Sequence, residues 1–276
     1  MATPIGTGGV DANTLANTIL GGTSGITINS VTYTGANAAS GTFTGGGSIF
    51  GINQGIVLTS GSATEFGSHA NGVPGFAALE QLNGGAPTFD ASVLDIHFVP
   101  TGSTINFTYV FGSEEYPQFV GSQFNDVFAF YVNGTNPGNN AALIPGTTTP
   151  VAINNINCGD ASGNGAMHCD LFVDNRNGDK GLSADALGGW TVPLQLTANV
   201  NPGVPNELIL AIADTSDSIL DSAALIQAGT FVSCGGPGQP CGGGPPPSSV
   251  PEPSTLLFVG TGLVGVLGMA RRRRKR

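Results

Sequence analysis

Basic residues are almost missing from this chain until its last six positions. Arg176 and Lys180 are the only two before Arg271–Arg276. Against 17 acidic residues they leave residues 1–250 with a net charge of −15. Such a surface repels phosphate backbones, which argues against nucleic acid as a partner, and it attracts calcium. Lysine chemistry has one candidate in this stretch, Lys180, with no evident partner. His69, His97 and His168 are scattered, no G-x-S-x-G elbow occurs, and no glycine-rich segment reads as a phosphate loop between a strand and a helix. Asp95 and His97 share a strand face at i, i+2, as an exposed polar edge would also place them. There is one tryptophan, Trp190. It and Tyr116 could stack on sugar rings, but for Trp190 a core role is the better reading.

What is abundant favours β structure. Glycine fills 44 of 276 positions and only 9% of residues are charged, a composition suited to short strands and tight turns. Asn-Gly pairs at Asn71, Asn83, Asn133, Asn164 and Asn177 supply the positive φ such turns need. Apolar runs predict strands around Ile26–Val31, Ile56–Leu58, Leu94–Phe98, Phe107–Phe111 and Val127–Val132. Further strands are expected at 150–157, 169–174, 190–200, 206–213 and 222–233. Asp11 can cap a short helix through Leu15, Ile19 and Leu20, and Phe76, Leu79 and Leu82 fall at helical spacing. The expected fold is all-β: a sandwich, jelly-roll-like, with one or two short helices.

One stretch joins this pattern to chemistry. In YVFGSEEYPQFVGSQFNDVFAFY, residues 109–131, strand-forming runs flank a loop carrying Glu114, Glu115, Asn125 and Asp126. The two runs read as paired strands that bury one face and fix the loop in space. Asp214, Asp217 and Asp221 flank a later strand. Calcium takes about six to eight oxygens from carboxylates, amides and carbonyls. These seven residues are therefore the candidate ligands of a structural calcium, provided the two loops meet. Asp174–Gly181 does not have EF-hand spacing, and acids that cap turns are the plainer alternative. A glycosidase would need two acids facing each other across ~5–9.5 Å. Glu114 and Glu115, adjacent in an extended segment, would point to opposite faces and could not be that pair, although Asp126 or Asp214 could pair with one of them.

The same stretch resembles the choice-of-anchor L domain, an extracellular β-domain family attached to bacterial surfaces by different C-terminal devices. GTFTGG, GIVLTSG, DASVLDIHFVP, PVAINNIN, DNRNGDKG and LILAIADTSDSILDSAALIQAG extend the likeness over roughly residues 10–233. The resemblance implies an architecture and an extracellular address more than an activity.

The four cysteines form two local pairs, Cys158 with Cys169 and Cys234 with Cys241. Nearest-neighbour closure is the simplest of three connectivities, and each loop would add roughly 2–3 kcal/mol. No CxxC spacing suggests zinc, and disulfides require an oxidising compartment. The opening MATPIGTGG has neither a basic region nor an apolar core, so it does not read as a secretory signal. Export would then call for a leader upstream of Met1.

After the β domain, 1–233, a Gly/Pro-rich linker runs over 234–249. Residues 250–276 carry Pro251-Glu252-Pro253, an apolar run Thr255–Ala270 and the basic tail. Sixteen residues span ~24 Å as a helix, short of a ~30 Å hydrocarbon core, so this transmembrane segment would need snorkelling arginines. The positive-inside rule keeps the tail cytoplasmic and the β domain outside. This part resembles a PEP-CTERM sorting signal, with Pro251, Glu252 and Pro253 at its name-giving motif. The resemblance implies an exosortase partner, transient residence in the inner membrane, and delivery to the cell surface or extracellular matrix of a polysaccharide-producing bacterium. A non-enzymatic structural or adhesive biofilm-matrix component is the expectation. The alternatives are a calcium-assisted carbohydrate-binding module that meets exopolysaccharide or surface proteins, and a polysaccharide hydrolase.

Overall fold

The computed structural model describes residues 9–235; of the expected linker, Cys234 ends a strand and Gly235 follows it, while its remainder, the PEP motif, Cys241 and the apolar tail lie outside them. After helix α1 (Ala12–Ile19) come strands β1 (Ile26–Thr34) and β2 (Ser40–Thr44), a helical turn α2 (Gly47–Phe50), β3 (Gln54–Thr59) and a second turn α3 (Ala77–Glu80). Then follow β4 (Thr88–Pro100), β5 (Thr104–Ser113), β6 (Val127–Val132), β7 (Phe172–Asp174) and β8 (Gly189–Thr191). The series closes with β9 (Leu194–Asn199), β10 (Asn206–Thr215), β11 (Ser222–Gln227) and β12 (Val232–Cys234). All named pairings are antiparallel, in a four-stranded sheet of order β1-β4-β10-β6 and an eight-stranded sheet of order β2-β3-β11-β5-β8-β7. β9 and β12 also pair with β5.

The sheets enclose one main core. Leu94, Ile96, Phe98, Phe128, Phe130, Leu208 and Leu210 come from the first, and Ile56, Leu58, Phe107, Tyr109, Phe111 and Ile226 from the second. The fold is the expected β-sandwich. Smaller clusters also cover the two outer faces. Ala78 and Leu79 of α3 sit with Ala129, Tyr131, Ile209 and Ala211, while Phe50, Leu182 and Leu187 cover Val57, Val110, Trp190 and Leu225. Strands buried on both faces lose alternation, which is why β6 reads as the unbroken run VFAFYV.

β5 and β6 were expected to be paired, but they lie in different sheets. They do share a buried face, across the core: Phe107 meets Phe130 at 4.9 Å between ring centroids, Tyr109 meets Phe130 at 4.9 Å, and Phe111 stacks on Phe128 at 4.9 Å. Strand 150–157 is replaced by a turn in which the amides of Asn155 and Ile156 both bond the Ala152 carbonyl. The asparagines divert the backbone there, and Asn157 Nδ2 donates back to the Ile153 carbonyl at 3.0 Å. Pro193 separates β8 from β9, and the turn at Gly229 (φ +71°) separates β11 from β12. The first helix has its expected cap, Thr14 N donating to Asp11 Oδ1 at 3.0 Å. Cys158 and Cys169 form a disulfide, and Cys234 is disulfide-bonded as well. Among the described residues no helix is long and apolar enough to cross a membrane.

Candidate functional site

Three of the passages from one sheet to the other, between β3 and β4, between β5 and β6, and between β10 and β11, carry the candidate residues or frame them. The registers put all three crossovers at one end of the sandwich: Thr59 of β3 lies opposite Ala223, Ser113 opposite Ser222, and Asp214 opposite Phe89. The signature loop and the late acidic loop therefore meet. Glu114 N donates to the Asp221 carbonyl at 3.0 Å. Asp126 bridges the same segments, accepting from Thr215 N at 2.9 Å and from the Ser222 hydroxyl at 2.7 Å.

Five of the seven candidate residues are buried here: Glu114 at 7% exposure, Glu115 at 3%, Asp126 at 1%, Asp214 at 1% and Asp221 at 2%. β5 ends at Ser113, so Glu114 and Glu115 stand in a turn rather than in extended chain, and both carboxyl groups reach the cluster. Asp217 sits at the rim, where its Oδ1 accepts from Ile219 N at 3.3 Å. Asn125 turns elsewhere, its Oδ1 accepting from Asn154 N at 2.8 Å to tie down the 150s turn.

Sequence reasoning missed Asp90, which is 1% exposed and adopts φ +53° where β4 and β10 slip register. It also missed the 60–71 segment. There His69 N donates to Asp221 Oδ2 at 2.9 Å, the Ser68 hydroxyl donates to Glu114 Oε2 at 3.1 Å, and the Asn71 amide bonds the carbonyls of Ser60 and Gly61. A Cβ on Gly61 would stand 1.6 Å from Asp221 Oδ2, so glycine leaves the space that this carboxylate fills.

Partners do not suffice for this many acids. Glu114 Oε1, Glu115 Oε2, Asp90 Oδ2, Asp221 Oδ1 and both oxygens of Asp214 are buried without a hydrogen bond. The Ser60 hydroxyl beside Asp214 accepts from Ser222 N at 2.9 Å and points its proton at the Ser222 carbonyl at 3.4 Å, so its pull on Asp214 only partly offsets burial. Burial, then the neighbouring negative charges, drives the acidities down. Glu114 is raised to about 8, with Asp221 the largest charged contributor, and Glu115 to about 9, with Asp126 and Asp217. Asp126 reaches about 8 through burial, against its hydrogen bonds from Ser222 and Thr215, and Asp221 about 7, partly relieved by His69. Asp214 is raised well above its usual value by burial and by Asp126.

The cluster's flank opens on a cleft of 380 Å³ lined by Ser68, Glu114, Tyr116, Phe119, Arg176 and Asp185, among others. Tyr116 is itself 1% exposed and donates to the Ile156 carbonyl at 2.8 Å. Trp190, also 1% exposed, packs on Phe50 at 5.3 Å between ring centroids. Neither ring is free to stack on a sugar. A larger cavity of 680 Å³ lies elsewhere, between β9 and residues 138–147, and no charged side chain lines it.

The acids are crowded but not drawn to ligand spacing. Among the described residues, one group of three or more such side chains has its ligand atoms all within 4.8 Å of one another, and it is Asp95, His97 and Glu207 on the outer face of β4 and β10.

Fold and site thus define a two-sheet β domain in which three of the crossovers converge on buried carboxylates. The chain belongs to the choice-of-anchor L domain family, whose model matches residues 6–232. A PEP-CTERM protein-sorting motif matches residues 249–275. No curated protein and no solved structure matches the chain. Domain and motif together indicate an exported protein sorted to the surface or extracellular space, and the motif implies processing by exosortase-type machinery.

Proposed function

We propose that this protein is a non-enzymatic structural or adhesive module of the cell surface or matrix, and that its crossover end binds calcium. One observation carries the metal reading: five buried acids present six carboxylate oxygens with no hydrogen bond, where three chain segments must be held together. Unpaired buried carboxylates are costly, so such a cluster takes up either protons or a cation. Calcium accepts six to eight oxygens and tolerates irregular geometry, and Glu114, Glu115, Asp90, Asp214 and Asp221 supply that number. Their spacing exceeds that of ligands around one ion, so binding would draw the 114–126 and 216–221 segments inward. Metal would then stiffen the end of the domain that meets neighbours, and adhesion would depend on calcium.

Hydrolysis is less well supported. Asp126 is sealed under Thr215 and Ser222, and only Glu114 of the clustered acids lines the cleft.

Thermal melting in EDTA and in calcium tests the reading. Ligand at about 100 times its Kd adds ~2.7 kcal/mol, which for a domain of this size is a shift of about 5–10 °C. Identical curves in calcium and EDTA would remove the metal from the proposal. Deleting residues 250–276 should change location while leaving the melting curve in place.

A further inference from the structure

A second group of ligating side chains lies apart from the buried carboxylates, on the outer face of the four-stranded sheet. The β4–β10 register sets Glu207 directly across from His97, and Asp95 stands two residues before His97 on the same face. His97 Nε2 is 3.6 Å from Asp95 Oδ2 and 3.8 Å from Glu207 Oε1. Both separations are longer than a hydrogen bond, and the other carboxylate oxygen of Asp95 is buried with no partner. Three side chains thus converge on one point without bonding one another. Ligands held about 2.0–2.2 Å from a metal ion stand roughly 3.0–3.5 Å apart, so His97 closes on each carboxylate within a few tenths of an ångström, and all three ligand atoms already lie within 4.8 Å of one another. No basic side chain competes for it: Arg176 and Lys180, the only two before the C-terminal tail, pair with Asp174 and Asp179. The ligands come from two hydrogen-bonded strands of one sheet, so their spacing is set by the ladder rather than by a loop.

We propose that Asp95, His97 and Glu207 form a second metal site, for a divalent transition ion of the zinc, nickel or copper type. One imidazole nitrogen with two carboxylates suits those ions, whereas calcium prefers oxygen alone. The side chains are partly exposed, at 27–45%, which leaves coordination positions for water or for a donor group from outside. The site is independent of the buried carboxylates, because it shares no residue with them.

Zinc chloride titrated calorimetrically into the full-length protein, kept in excess calcium, tests this. The expected result is one equivalent bound, weakened at least tenfold by His97→Ala, severalfold by Glu207→Gln, and unchanged by His69→Ala. With copper(II) as the probe, electron paramagnetic resonance of the unaltered protein should show a single coordinated imidazole nitrogen, and this signature should vanish in His97→Ala. The second measurement keeps the test decisive even if a substitution disturbs the fold. Absence of saturable zinc binding, binding that survives His97→Ala, or binding lost instead in His69→Ala would each overturn the proposal.

Discussion

The two ends of the sandwich solve the same burial problem in opposite ways. At the end opposite the buried acids, Asn206 is 3% exposed and fully occupied. Its Oδ1 accepts from Asn201 N and Asn133 Nδ2, both at 2.9 Å, and its Nδ2 donates to the carbonyls of Asn201 and Val204, both at 2.8 Å. At the other end of the same strand Asp214, 1% exposed, has neither oxygen bonded. Neutral amides carry donors and acceptors and can satisfy one another. Carboxylates carry acceptors only and need something brought from outside. Burial alone therefore does not mark a site; burial with the partners missing does.

That contrast can be broken in several ways. The largest effect should come from pH in the absence of metal. Glu114, Glu115, Asp126 and Asp221 hold protons up to about 8, 9, 8 and 7 in the folded protein, while unfolded carboxyls release them near 4. Between these limits the folded state binds more protons. In EDTA, stability should therefore fall as pH rises from about 4 to about 9, and calcium should flatten the slope. Urea unfolding across that range checks both, and a slope unaffected by calcium would contradict the site. Next in size, Asn206→Ala should cost about 3 kcal/mol at any calcium level, because it strands several buried groups at once. Gly61→Ala should cost about 1–3 kcal/mol and also weaken calcium binding, since its methyl takes the place of the Asp221 carboxylate. The smallest change should be Asp214→Asn. In EDTA at about pH 9, where the cluster is forced to ionise, it should raise stability by about 1 kcal/mol by removing an unpaired charge, and in calcium it should abolish the metal-dependent gain. A loss of stability in EDTA would mean that the acid is already satisfied.

Much of this was legible in the sequence. The aromatic runs of β5 and β6, the acids between them and those around β10 all show as local pattern. Their partners do not, because alternation records that a strand has a buried face without recording what covers it. Phe107 and Phe130 look the same whether their strands are hydrogen-bonded or face each other across a core. Asp90 stayed hidden because it sits at a register slip, and His69 because the cluster uses its backbone N–H, which any residue type could supply. The 150–157 stretch misled for a related reason: its apolar residues are buried as a strand's would be, but asparagine amides fold the backbone into turns. Glu114 and Glu115 were separated by an assumed extended geometry that ends one residue before them.

The route by which the chain leaves the domain has a mechanical meaning. β12 runs beside the start of β5, and Gly235 ends at Ser103, whose hydroxyl bonds its carbonyl at 3.3 Å. This is the amide-closed pole. Whatever grips the protein through its C-terminal segment pulls there, and load passes first into β12 and then into the central strand of the larger sheet. The acid pole, at the opposite end of β5 and β10, is left unloaded.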